Sequence, residues 1–379
     1  MLIRILKNSL KKRFFQGKAI VLVGPRQVGK TTLVESILAE IDPKKENTIS
    51  FNCDNPSERE ALNEKNLDSL EKTIGQRNIV FIDEGQKVDS IGQTVKLLVD
   101  KFKNKKQVII TGSSSINLLS QTEEALTGRK FVFNLFPLSL EEIFPQKNLL
   151  EISKNLESLL VFGAYPGAIN QNSFDEKRKA LLELASSNLY KDILEFQQIK
   201  NSTIIFNLLK ALAFQVGSEV SYNELANQVG IDKKTVERYV DLLEKNYLIF
   251  RLAPYYKNKR KEISKSKKIY FYDLGIRNAV INNFNLPAFR NDIGAIWENL
   301  LAVERLKFQS YHDIYSNNYF WRTYTGVEVD WVEEREGKLF GYEFKWNVKK
   351  SKRAPQGFLS YPESSYEIIN PEKISGFVI

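Results

Sequence analysis

Residues 21–32 read VLVGPRQVGKTT. An apolar run, Ala19 to Val23, leads into Gly24-Pro25-Arg26-Gln27-Val28-Gly29-Lys30-Thr31-Thr32 and then into helix-forming residues. This is the GxxxxGK[ST] spacing in the strand, loop and helix setting that phosphate binding requires. Glycines let backbone N–H groups curl around a phosphate without side-chain clashes. The start of the following helix adds free N–H groups and a positive dipole end. Lys30 is expected on the β- and γ-phosphates of ATP, and the Thr31 hydroxyl on Mg²⁺. The alternative is a glycine turn before an ordinary helix. The length of the loop and the strand before it argue against that.

A second acidic signal sits at residues 78–86, NIVFIDEGQ. Ile79 to Ile82 has the continuous apolar character of a buried parallel strand. Asp83, at its end, is placed to hold Mg²⁺, and Glu84 to polarise the attacking water; a solvated loop position is the alternative for Glu84. A further apolar strand, Gln107 to Thr111, ends in Thr111-Gly112-Ser113-Ser114. By themselves Ser113 and Ser114 read as a plain turn. Arg129, in Leu126-Thr127-Gly128-Arg129, reads either as an arginine finger offered to a neighbouring copy in a homo-oligomer or as a surface ion-pair partner.

A third set of reactive residue types lies near the C-terminus. Glu328-Val329-Asp330-Trp331 and Tyr342-Glu343-Phe344-Lys345 read as neighbouring antiparallel strands. Glu343 and Lys345 are two apart and project from one face. Asp330 and Glu343 can hold Mg²⁺ while Lys345 orients a water for phosphodiester attack, with Glu298 on a preceding helix as a third carboxylate. An amphipathic hairpin with an ordinary ion pair, or a related fold that has lost catalysis, explains the same residues.

The elements that position these groups divide the 379-residue chain into three parts. Residues 1–145 read as a P-loop domain whose five strands are Ala19 to Val23, Thr48 to Cys53, Ile79 to Ile82, Gln107 to Thr111 and Lys130 to Phe136, after an amphipathic helix near residues 2–15. Residues 146–260 read as helical. Within them Val220 to Phe250 has the helix, glycine turn and helix of a winged helix. Asp232 is its N-cap, Val236, Tyr239, Val240 and Leu243 face inward, and Lys233, Lys234, Thr235 and Arg238 are exposed toward DNA or a protein partner. The basic run Lys257 to Lys268 is a nucleic-acid contact or a solvated tip. Residues 261–379 read as an α+β domain that opens with a strand from Lys268 to Asp273.

Composition narrows the chemistry. The single cysteine, Cys53, excludes an internal disulfide framework, and with one histidine, His312, metal binding must rest on carboxylates and favours Mg²⁺ or Mn²⁺ over zinc. The net charge of +9 permits nucleic-acid contact without requiring it. No apolar run approaches a membrane span and no signal peptide is visible, so a cytoplasmic protein without membrane contact is expected.

The extra strand between the two phosphate-site motifs, together with Glu84 after Asp83, points to the AAA+-like branch of P-loop ATPases, and likeness to that branch implies that Ser113 or Ser114 is a polar sensor bonding the attacking water or the phosphate. The whole chain resembles a family of bacterial and archaeal AAA-type ATPases whose C-terminal domain is related to PD-(D/E)xK nucleases. The strings that carry the resemblance are GPRQVGKTTL, FIDEGQ, TGSSS, LTGR, FPLSLEEI, AYPGA and IYFYDLGIRNA, with EVDW and YEFK, spread from Gly24 to Lys345. Gly85 departs from the isoleucine that the family often carries there. The resemblance implies an α/β chain with ATP binding and slow hydrolysis. It leaves two roles open: an ATP-driven enzyme that cuts or remodels nucleic acid, or a regulatory ATP switch whose winged helix and C-terminal domain bind DNA or protein and cut nothing.

Overall fold

The computed structural model describes residues 2–63, 66–113, 118, 122, 124–146, 148–188, 202–256, 266–347 and 354–379. The chain forms two compact units, Met1–Phe136 and Pro137–Ile379.

The first unit is a five-stranded parallel sheet. Its strands are β1 (Ala19–Val23), β2 (Thr48–Asn52), β3 (Ile79–Asp83), β4 (Gln107–Gly112) and β5 (Lys130–Asn134), in the order β2-β3-β4-β1-β5. Every residue of β1 and β4 is buried, as expected for central strands covered on both faces. The edge strand β2 buries only Phe51. The helix expected at residues 2–15 is shorter, α1 (Leu6–Lys11), with Leu6 and Leu10 inward. Helices α2 (Lys30–Ile41), α3 (Pro56–Asn63), α4 (Leu67–Ile74) and α5 (Ile91–Phe102) connect the strands. Register places the chemistry at one edge. Leu22 lies beside Thr111 and Ile82 beside Ile110, so Asp83, Thr111 and the residues that follow Val23 share the carboxyl ends of three adjacent strands. Open α/β sheets bind ligands there.

In the second unit α6 (Leu149–Phe162) and α7 (Phe174–Glu183) precede α8 (Ser202–Phe214); single-turn helices are left unnumbered. The order is then β6 (Glu219–Val220), α9 (Tyr222–Val229), α10 (Lys233–Lys245), β7 (Ile249–Pro254) and β8 (Lys267–Phe271). Gly230 ends α9 at φ +75°, and Asp232 caps α10 by accepting from the Thr235 N–H at 3.0 Å. Val236, Tyr239, Val240 and Leu243 are buried, as their spacing predicts. After α11 (Leu274–Val280) come α12 (Ile293–Tyr311), β9 (Asn317–Arg322), β10 (Glu328–Arg335), β11 (Lys338–Phe344), β12 (Ser364–Ile369) and α13 (Ile374–Val378).

A seven-stranded mixed sheet, β12-β11-β10-β9-β7-β8-β6, runs through this unit. The boundary expected at residue 260 is therefore crossed by the sheet. Strands β7 and β8 pair antiparallel, and Ala253 and Pro254 of β7 pair in parallel with Tyr319 and Phe320 of β9. Residue types mark Asn246 to Leu252 and Tyr319 to Thr323 as strands but not as neighbours. Taken together, the two sheets make an α/β chain, with a P-loop parallel sheet and an additional mixed-sheet region. Among the described residues, no helix is long and apolar enough to cross a membrane.

Candidate functional site

The loop after β1 is shaped by close backbone approach. A Cβ on Gly24 would lie 2.1 Å from the Leu135 carbonyl oxygen, so only glycine fits. Helix α2 begins at Lys30 with no side-chain cap, which leaves its first N–H groups directed at the loop. Lys30 is 5% exposed. Its Nζ donates to the carbonyls of Gly24 (2.9 Å) and Pro25 (2.8 Å), across the loop it closes. Val28 is buried beneath the loop.

The Thr31 hydroxyl donates to both Asp83 oxygens, at 3.1 and 3.0 Å. The Thr111 hydroxyl donates to Asp83 Oδ1 as well. Glu84 takes a left-handed backbone conformation, φ +53°, which few non-glycine residues adopt outside special sites. Its Oε2 accepts from Gln86 Nε2 at 2.5 Å and from Ser113 Oγ at 2.9 Å, and Gln86 Nε2 also reaches Ser113 Oγ at 3.1 Å. Gly85 has a packing reason: a Cβ there would lie 2.5 Å from Ile110 Cγ2 on β4. Glycine thus lets the turn that carries Glu84 sit against β4.

These residues fit Mg²⁺-bound nucleotide. A hydroxyl and a carboxylate meet at the loop, a buried ammonium lies on loop carbonyls that a phosphate can replace, and an uncapped helix start faces them. Sequence reasoning did not find Thr111 and Gln86 as polar partners of the acid pair. Gln86 is visible in FIDEGQ, whereas Thr111 needs the β3–β4 register. Ser114 lies outside the described residues. Arg129 stands at the start of β5, where Lys130 pairs with Ala19. It is at the opposite end of β1 from the loop, about 13 Å along the strand by its rise per residue. Its guanidinium is bonded to Asp100 at 2.6 Å.

In the second unit, Asp330 and Glu343 do lie on paired antiparallel strands, one step beyond the Trp331–Tyr342 pair. Lys345 Nζ contacts Glu343 Oε1 at 2.5 Å. The carboxylates that converge, however, are Glu298, Glu328 and Asp330, with oxygens within 4.8 Å of one another. Lys268 enters among them, 2% exposed. Its Nζ is 2.7 Å from Glu298 Oε1, in contact with Glu328 Oε1, and 3.8 Å from Asp330 Oδ1. Tyr270 donates to the same Glu298 oxygen at 2.7 Å, and the Phe344 N–H donates to Asp330 Oδ2 at 2.7 Å. Burial pushes the Glu298 carboxyl up to about 7 against the pull of Lys268, and raises Asp330 and Glu343 too. Burial alone would lower Lys268; the carboxylates, Glu298 foremost, outweigh it and hold the ammonium well above the ordinary lysine value.

A metal ion does not fit this centre as built, because an ammonium already lies among the three carboxylates. Lys268 lies in the strand expected from Lys268 to Asp273, and its burial corrects the solvated-tip and nucleic-acid readings of the basic run at this residue. The end of that run is a buried strand residue, because β8 is paired on both sides, by Glu219 of β6 and Leu252 of β7. Residues 257–265 of the run lie outside the described residues. On α10, Lys233, Lys234 and Arg238 are exposed. Thr235 instead spends its hydroxyl on Asp232 at 2.6 Å. Lys233 lies 3.7 Å from Glu237, so this surface carries mixed charge.

Residues 16–144 match the AAA domain family AAA_14. Residues 153–286 and 293–374 match two domains of unknown function, DUF8612 and DUF4143. An uncharacterized protein of Mycobacterium tuberculosis, Rv2008c, is 25% identical over 338 residues, covering 89% of this chain and 72% of that protein. Another from Methanocaldococcus jannaschii, MJ1544, is 28% identical over 353 residues, covering 88% and 76%. Among solved structures, the replication initiator DnaA bound to AMPPCP and single-stranded DNA aligns at TM-score 0.29 and 15% identity, over 63% of this chain and 86% of that one. The Pif1 helicase from Candida albicans aligns at TM-score 0.28 and 13% identity, over 49% and 48%. The chain is thus similar to uncharacterized proteins of bacteria and archaea, and its first unit carries an AAA-type P-loop domain.

Proposed function

We propose that this protein is an Mg²⁺-dependent ATPase whose first unit binds and hydrolyses ATP in the cytoplasm. The observation that carries the reading is the meeting of Lys30, Thr31, Asp83 and Glu84 at one sheet edge. Gly24 to Thr32 would wrap the phosphates with backbone N–H groups, and Lys30 would exchange its loop carbonyls for phosphate oxygens. Thr31 and Asp83 would hold Mg²⁺, which supplies charge neutralisation on the phosphates when bound. Glu84 is then left to orient a water and accept its proton. Gln86 and Ser113 fix Oε2 of that carboxylate, which leaves Oε1 for the water. Arg129 lies too far from its own loop to take part, so a role for it in catalysis requires a second copy of the chain. Calorimetry and phosphate release test the reading. Lys30→Ala should weaken ATP·Mg²⁺ binding and abolish hydrolysis, while Glu84→Gln should keep the affinity and lose turnover by about 10²-fold or more, on the order expected for a removed catalytic group. Unchanged affinity in Lys30→Ala would reject the assignment.

For the second unit we favour the regulatory-switch reading over a nuclease. The supporting observation is the lysine among the carboxylates that metal-dependent cleavage would need. The order α8, β6, α9, α10, β7, β8 supports a winged helix, and the exposed Lys234 and Arg238 support contact with DNA phosphates.

A further inference from the structure

We propose that the Lys268 ammonium is a built-in cation that takes the place of a divalent metal ion among Glu298, Glu328 and Asp330. The acidic centre of the second unit is then complete without metal. The inference goes beyond the ATPase reading and is tested apart from it.

The chemistry of the group matches its place. An ammonium has three donors and no acceptor, and here three carboxylates surround it. Mg²⁺ would need oxygens at about 2.1 Å in an octahedron. Several of these oxygens already have partners. Glu298 Oε1 accepts from Lys268 and Tyr270, Asp330 Oδ2 from the Phe344 N–H, and Glu328 Oε2 lies 3.7 Å from Arg322 Nε. The lysine has little room to leave. Its strand is held in two ladders, and the Phe320 ring stands 5.5 Å from Nζ. One oxygen nearby, Glu343 Oε2, is buried without a hydrogen-bond partner among the described residues. A hard dication would have to displace the ammonium from Glu298 and Glu328 before it could collect its oxygens. Beside the cluster an open cavity of about 400 Å³ is lined by Glu298, Asp330, Lys345 and Trp346, so an added ion has a path to the centre.

The tryptophans make the test selective. All four, Trp297, Trp321, Trp331 and Trp346, lie in the second unit. Terbium luminescence excited through tryptophan therefore has all its donors in the second unit, and Asp330→Asn assigns emission to this centre. The probe is Tb³⁺ added to the nucleotide-free full chain. Wild type should show no saturable emission that Asp330→Asn removes. Lys268→Met should gain saturable emission with at least ten-fold tighter binding, lost again in Lys268→Met/Asp330→Asn. Should the methionine variant fail to fold by near-ultraviolet circular dichroism, Lys268→Gln is read in the same way. Saturable wild-type emission removed by Asp330→Asn or Glu343→Gln overturns the proposal, and so does a folded Lys268 variant that gains nothing.

Discussion

At the end of β3, Asp83 takes hydrogen bonds from the hydroxyls of Thr31 and Thr111, and Glu84 takes its own from Gln86 and Ser113. In the second unit Glu298, Glu328 and Asp330 instead share one buried ammonium. Neutral donors fix the direction of a carboxylate and leave its charge uncompensated, ready for Mg²⁺ or a proton. A lysine compensates the charge permanently. Two clusters of the same acidic residue types thus differ in whether a ligand is needed to complete them. The difference arises from one buried side chain and not from the acids themselves.

Equivalent deletions on the two sides should therefore cost unequal amounts. Lys268→Met leaves three buried carboxylates without their cation and should destabilise the second unit by about 3–5 kcal/mol. Tryptophan fluorescence during denaturation reads that unit alone. Thr31→Ala removes a neutral donor and should cost about 1 kcal/mol in nucleotide-free protein, measured by calorimetry. Equal losses would erase the contrast drawn between the two clusters.

Burial in the second unit also predicts a pH signature. Asp273 caps α11 and accepts from the Ala164 N–H at 2.7 Å. Burial outweighs these bonds and pushes its carboxyl up to about 6 from 3.8. The folded chain then holds this proton more tightly than the unfolded chain. The stabilisation is complete below pH 3.8 and is lost as pH rises to about 6. Asp273→Asn keeps a capping oxygen and cannot titrate. The unfolding midpoint of wild type minus that of the variant should fall across this window, and a flat difference rejects the assignment.

The smallest effect is expected on the surface of α10, where paired and unpaired charge sit side by side. Neutralising Lys233, Lys234 and Arg238 should weaken DNA binding and flatten the plot of log K against log salt, by about 0.9 per lost phosphate contact. Lys233, with Glu237 beside it, should contribute least. A triple variant that binds a mixed DNA pool as wild type does would make α10 a protein-contact surface.

The nucleotide site is almost wholly legible in the chain. Its motifs are local, and a continuous apolar strand followed by a polar turn announces its own position at a sheet edge. The helix, turn and helix at 222–245 is legible for the same reason, down to the Asp232 cap. The Glu84 clamp is half visible. Gln86 is two residues away, but Thr111 on β4 and Ser113 just after it arrive from a different part of the sequence.

Lys268 shows what the sequence withholds. It reads both as the last residue of the basic run and as the first of the strand KIYFYD, and local composition carries no information about which distant charges will meet it. Only β8 lying between β6 and β7, with α12 and β10 supplying Glu298, Glu328 and Asp330, makes that lysine an interior cation. Sequence by itself determined the residue types, the strand and helix periods, and the phosphate-binding loop, since each depends on near neighbours and backbone preference. Tertiary structure decided which charges neutralise one another, because Lys268 and its carboxylates, 30 and more positions apart, meet only after the sheet has closed.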